Sequence, residues 1–167
     1  KRYHPEDSRM GMLENARSRA FIHLFLKVKF GLTGFLEREQ FITDGPQDGG
    51  IDAYYVDSES KVLYFIQSKF RNTDANFENK EIALSDLLSM EIRRVLDGEY
   101  DSEAGDPYND KIKGFIDNRI QHIPDMPRYR IEVVLLANVK QNLKPKLSKL
   151  TGGFQVNIYN FDRVYSE

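Results

Sequence analysis

Apolar residues Leu13, Ala20, Phe21, Leu24, Phe25 and Val28 fall on one arc at about 100° per residue, which predicts an amphipathic helix near 8–29. Gly31 and Gly34 stop it, and Phe35–Ile42 reads as a first strand running into the turn-rich segment TDGPQDGG. Ile51–Val56 and Lys61–Phe70 form a predicted hairpin across DSES. In the second of these strands Val62, Tyr64 and Ile66 alternate with Leu63 and Phe65, so both faces are apolar and the strand belongs in the middle of a sheet. Helical spacing returns at 79–96 and again at 108–121. Arg130–Ala137 reads as a buried strand, 141–150 as a short basic helix and Phe154–Phe161 as a last strand. A hairpin followed by helix, strand, helix and strand needs crossovers packed on a sheet. The predicted class is α/β: a mixed central sheet of about five strands flanked by helices, in one domain over 1–167.

Length and composition narrow the function classes. At 167 residues, 40% hydrophobic and 30% charged, the chain has the make-up of one folded domain, and the absence of Cys removes thiolate zinc sites and cysteine nucleophiles. No apolar run approaches the ~18 residues of a membrane span. The expected location is the cytoplasm, and the KRYHPEDSRM start reads as the cut edge of a longer protein. A net charge of −2 gives no global pull toward nucleic acid. The charge is segregated, however: seven Lys/Arg against three acids in 1–30, four Lys and no acid in 140–150, six acids and no base in 97–110. Taken singly each block reads as a solvated face, and the basic ones become a phosphate-binding patch only if the fold joins them.

The richest segment is DGGIDAYYVDSESKVLYFIQSK. With the hairpin turning near Glu59–Ser60, Asp52 stands opposite Gln67 or its immediate neighbour, and Gln67 and Lys69, two apart, share a strand face. A carboxylate, an amide and an amine thereby converge at a strand end. Gly49–Gly50 imply a tight turn or a close backbone approach. Glu14 falls inside the apolar arc of the first helix, where a carboxylate needs a partner; Arg17, one turn on, is one and a metal ion another. Asp44 in TDGP and Asp48 before Gly49 read first as turn formers and second as alternative acids for the site. His4, His23 and His122 lack ligand spacing and read as packing or surface residues. Tyr54, Tyr55 and Tyr64 read as core rather than as base-stacking platforms. The acidic stretch fits no calcium loop, and neither a nucleophile elbow nor a phosphate-cradling glycine loop is present.

The pair DGGID and QSK, one hairpin apart, resembles the active site of the PD-(D/E)xK nuclease superfamily, in particular its restriction-endonuclease-like, Mrr-like branch and the N-terminal domain of abortive infection phage resistance proteins. In that branch a Gln commonly takes the place of the second acid. The resemblance implies a restriction-endonuclease-like sheet and catalytic Asp52, Gln67 and Lys69. It also implies a Mg²⁺ site (Mn²⁺ as substitute) drawn from Glu14, Asp52, Gln67 and the Ser68 carbonyl. The implied activity is metal-dependent phosphodiester hydrolysis of DNA, ahead of RNA, by the nuclease domain of a restriction or phage-defence protein. The implied partners are DNA, other domains of the same chain and a second copy as homodimer, with no membrane. The alternatives are a non-catalytic nucleic-acid-binding module on the same fold and an interaction scaffold without a nucleic-acid partner.

Overall fold

The structure, a computed structural model, describes residues 10–69, 89–138 and 144–166. Four strands form one sheet in the order β1 (Ala53–Asp57), β2 (Val62–Ser68), β3 (Arg130–Leu136) and β4 (Val156–Tyr159). β1 and β2 are an antiparallel hairpin, whereas β3 lies parallel to β2 and β4 parallel to β3. The sheet is mixed and carries helices on both faces, so the α/β class holds. Every residue of β2 is buried, as a central strand with two apolar faces requires. Val62, Tyr64 and Ile66 pack with Phe21, Ile22, Phe25 and Leu26 of α1 (Met10–Phe30) and Val164 of α6 (Phe161–Ser166). Leu63 and Phe65 pack on the other side with Ile92 and Val95 of α3 (Ile92–Leu96) and Ile112, Phe115 and Ile116 of α4 (Asp110–Asn118). α5 (Lys144–Leu150) lies between β3 and β4 in the chain.

Several expectations change. Phe35–Ile42 is not a strand: Phe35–Glu39 is a short helix, α2, and only Ile42 bridges Ala53, so the described residues hold four strands rather than five. The run FLERE contains good helix formers and no β-branched residue. Gly34 donates its N–H to Glu37 Oε2 at its start (3.4 Å), and Phe35 stacks on His23 of α1 (4.8 Å between centroids). In the predicted helix 79–96, residues 79–88 lie outside the described residues and only Ile92–Leu96 is helical in the remainder. The helix predicted over 108–121 ends at Asn118 and is followed by a 3₁₀ turn at Ile120–His122. The basic helix is described from Lys144 onward, and the last strand shortens to Val156–Tyr159 because Phe161–Ser166 turns helical. On α1 the buried stripe is rotated toward Ile22 and Leu26, leaving Val28 36% exposed.

The aromatic strand residues are core, as read. Tyr54 stacks on Phe115 (3.6 Å), Tyr55 on Phe30 (4.0 Å), and Tyr64 meets Phe30 edge-on (4.9 Å). The acids of 97–110 face solvent, but their backbone forms a closed turn: Tyr108 N–H donates to Tyr100 O (2.8 Å) and Ser102 N–H to Asp106 O (2.7 Å). No helix among the described residues is long and apolar enough to cross a membrane.

Gly49 and Gly50 fasten the hairpin to the layer below. Both have positive φ, +64° and +74°, and a Cβ on Gly50 would stand 2.3 Å from Ser89 O, inside any permissible contact with backbone. Gly50→Ala is therefore expected to cost on the order of 2–4 kcal/mol, read as a lowered urea midpoint. Gly114→Ala, inside α4 with Asn118 Nδ2 at 3.6 Å, is expected to be neutral or to stabilise by up to about 1 kcal/mol. Equal losses at both positions would mean that the close approach at Gly50 is not what demands glycine.

Candidate functional site

The carboxyl end of β2 opens into a cleft of about 490 Å³ lined by Asp44, Asp48, Asp52, Gln67, Ser68 and Lys69 together with Asn15 and Ser18 of α1. Each side chain is placed by an identifiable backbone constraint. The hairpin register pairs Ala53 with Ile66, and Asp52 N–H donates to Ile66 O (2.9 Å), which sets Asp52 and Gln67 opposite each other. Asp52 Oδ2 accepts the Ser68 N–H at 2.7 Å. Gln67, 2% exposed, donates its amide Nε2–H to Gly50 O (2.9 Å), so the donor end of the amide is committed and only its oxygen is suited to meeting a cation. Ser68 donates its hydroxyl to Ser18 O of α1 (2.9 Å), tying the strand end to the helix that forms the opposite wall. Lys69 N–H donates to Leu136 O (2.9 Å), and its half-buried side chain lines the same cleft.

Asp44 and Asp48 are more central than their sequence context implied. Asp48 is the turn former expected, accepting N–H bonds from Gly50 (2.9 Å) and Gly45 (3.2 Å), yet it is also 8% exposed and faces Asp52. Asp44 is drawn in because the segment after α2 still runs beside β1: Thr43 and Asp44 both donate N–H to Asp52 O (2.9 Å each). One oxygen from each of Asp44, Asp48 and Asp52 lies within 4.8 Å of the others. Two metal–oxygen bonds of about 2.0–2.6 Å span such a gap. The signal for this triad was present in the sequence as three acids four residues apart, D-x₃-D-x₃-D, but a loop has no fixed period from which to infer convergence. Glu14 lies in α1, and its side chain is outside the described residues; the helix turn that follows it, Asn15 to Ser18, is the part that lines the cleft.

The electrostatics are those of an overcrowded anionic site. Burial, and then the neighbouring Asp48 charge, push the Asp52 carboxyl well above the usual carboxylate range; Asp48 is also raised by burial, against the pull of its two backbone N–H donors. The two side chains are hydrogen-bonded to each other, so one proton held between them relieves the repulsion. Arg19 supplies the nearest described cation, 3.8 Å from Asp44, while its main partner is Glu39 at 2.7 Å. Glu39 in turn meets His23 Nε2 (2.7 Å), and Arg38 donates to His23 Nδ1 (3.1 Å). An Arg donor on Nδ1 requires a lone pair there, so His23 is the neutral Nε2–H tautomer; burial lowers its pKa accordingly. His23 is thus a packing histidine outside the cleft; His122 is exposed, and His4 is outside the described residues.

No protein-family model matches the chain, and no curated protein or solved structure matches it either. The chemistry of the site rests on its own donor set. An all-oxygen cluster with its carboxylates close-packed and partly protonated suits a hard divalent cation such as Mg²⁺ or Mn²⁺, whose charge substitutes for the shared proton.

A pH dependence follows, with a fixed sign. Asp48 and Asp52 hold protons more tightly folded than unfolded, so their contribution to stability is complete below about pH 4, the unfolded carboxylate value, and is lost as pH rises through their raised folded values. In EDTA, Asp52→Asn should abolish that part of the decline and melt above the wild type at pH 7–8, because Asn copies the protonated carboxyl: its oxygen accepts from Ser68 and its NH₂ donates to Asp48. Mn²⁺ should raise the wild-type melting temperature and leave the variant nearly unmoved. Identical profiles for the two proteins would place the titration elsewhere.

Proposed function

We propose that the chain is a divalent-metal-dependent phosphodiesterase domain acting on DNA, a nuclease of the PD-(D/E)xK kind, with RNA the less favoured substrate. The observation that carries this reading is the convergence of three carboxylates, the Gln67 amide, the Ser68 backbone and the Lys69 ammonium in one cleft at the end of the central strand. The likeness of DGGID and QSK to the restriction-endonuclease-like motif supports it, as does the mixed sheet with helices on both faces. Asp52 and Asp48 would hold a Mg²⁺ ion with Asp44 in reach, and the Gln67 amide lines the same cleft; Glu14 remains the first-helix candidate. A cation there would supply positive charge to a phosphate oxygen and acidify a bound water. The chain's own contribution is positional. Lys69 brings a cation to the cleft wall, where it can orient the attacking water and offset charge growing on the phosphate. The Asp48–Asp52 pair can take up a proton within the cleft. Restriction or phage defence, cytoplasmic location, other domains of the same chain and a homodimer belong to this reading as its biological setting.

The amide at Gln67 also favours a second reading, a nucleic-acid-binding module that has lost catalysis, since an amide is a weaker ligand than a carboxylate for a hard cation. Nicking of supercoiled plasmid in Mg²⁺ or Mn²⁺, set against binding in EDTA, separates the two. Lys69→Ala should reduce cleavage by at least ~100-fold at unchanged melting temperature, because a half-buried amine at a strand end matters more to charge stabilisation than to packing. A soluble variant that still cleaves would remove Lys69 from the machinery. Gln67→Glu should lose the bond to Gly50 O and add a fourth acid, melting below the wild type in EDTA by the equivalent of roughly 2–4 kcal/mol. The same variant should show a larger rise in melting temperature with Mn²⁺ than the wild type. A Glu variant as stable as wild type in EDTA would show that Gln67 is not packed against the anionic cluster.

A further inference from the structure

A second cleft, of about 380 Å³, runs between α4 and the 39–43 segment, on the far side of the backbone that delivers Asp44. We infer that this groove is a binding track for the phosphodiester backbone of the nucleic-acid substrate, with Lys111 and Arg119 as its phosphate contacts. The inference rests on the function proposed above and extends it from the reacting phosphate to its neighbours along the strand. Three observations carry it.

The first is continuity. Thr43 lines the groove while Asp44, the next residue, lines the metal cleft, so the two sites are separated by a single thickness of chain. The second is rigidity. Asn109 caps α4 by accepting the Ile112 N–H (2.9 Å) and donates its amide to Thr43 O and Pro46 O (3.1 Å each), which locks α4 to the segment carrying the triad. The third is the charge and shape of the walls. Lys111 and Arg119 are exposed at the two ends of the α4 wall and have no carboxylate partner among the described residues; the acids of the same helix, Asp110 and Asp117, do not line the groove. The acid that does line it, Glu39, is held by Arg19 and His23. Gly114 leaves the wall between the two cations without a side chain. Arg119 is held in place from below, over the Phe41 ring at 6.0 Å and beside Tyr54. From Lys111 to Arg119 the helix climbs roughly 12 Å at about 1.5 Å per residue, room for more than one phosphate of a strand rising about 3.4 Å per unit.

The test is the salt dependence of binding to a labelled duplex and to a labelled single strand, measured by fluorescence polarisation in EDTA. For wild type, log K should fall steeply with log[salt]; in Lys111→Ala/Arg119→Ala the slope on duplex should shrink by about 2, and by about 1 in Lys111→Ala alone, which spares the Arg119 contacts with Phe41 and Tyr54. Lys113→Ala, also on α4 but outside the groove, should leave the slope unchanged. Mn²⁺ affinity by calorimetry should be the same in all four proteins. An unchanged slope in the double variant, with wild type still binding and still cleaving, overturns the track and leaves the proposed function standing. Wild type that binds neither probe at low salt overturns both. A larger change on single strand than on duplex would retain the track and assign it to unpaired substrate.

Discussion

Two carboxylates buried against each other beside the end of a strand are a costly feature, and much of the local structure holds them there. Asp48 and Asp52 each keep 8% of their surface, within hydrogen-bonding distance of one another. Taking one such charge out of water costs several kcal/mol. Against this stand the five apolar residues Val62–Ile66 of β2, all buried, at about 2 kcal/mol of gross burial each, on the order of 10 kcal/mol for the strand. The central strand is thus apolar enough to carry a strained polar end. It is also gripped on every side: by β1, by β3 and by both helical layers.

The same constraint explains the backbone around the acids. Asp48 needs N–H donors, and Gly50 and Gly45 provide them; Gly50 can do so only because its missing Cβ admits Ser89 O. Gly49 O accepts the Glu91 N–H at 2.9 Å, so the turn is bonded to the layer containing α3. The glycine pair therefore converts the packing of one helical layer into the position of a carboxylate. On the other face, the Ser68 hydroxyl on Ser18 O fixes the distance between the strand end and α1. Elements on both faces of the sheet thus fix the walls of the cleft.

What was legible in the sequence was what a short period encodes. Alternation in 62–66 gave β2 its central place, and the antiparallel count from the DSES turn put Asp52 opposite Gln67 or its immediate neighbour, of which the observed register selects Gln67. The Gly49–Gly50 requirement was readable for the same reason: two adjacent glycines before a strand have few uses. The strand expected at Phe35–Ile42 failed because its residues favour a helix, and His23 and Arg38 hold that helix against α1 by contacts between positions far apart in the chain. Asp44 and Asp48 were read as turn residues, which Asp48 is. Their second role depends on a loop folding back beside β1 through the Thr43 and Asp44 amides, and no local signal specifies that return.

The amide at position 67 looks different once the triad is in view. Judged against a motif with two acids, Gln67 is a missing charge. Judged against Asp44, Asp48 and Asp52 clustered within 4.8 Å, a fourth carboxylate would add repulsion to a site already raising the pKa of two members. It would also remove the amide that donates to Gly50 O, taking a hydrogen bond from the turn that places Asp48. An amide adds no charge and spends its nitrogen on the glycine turn. The loop acids and the strand amide are therefore one compensated set: Gln67, being neutral, adds no charge where Asp48 stands so close to Asp52.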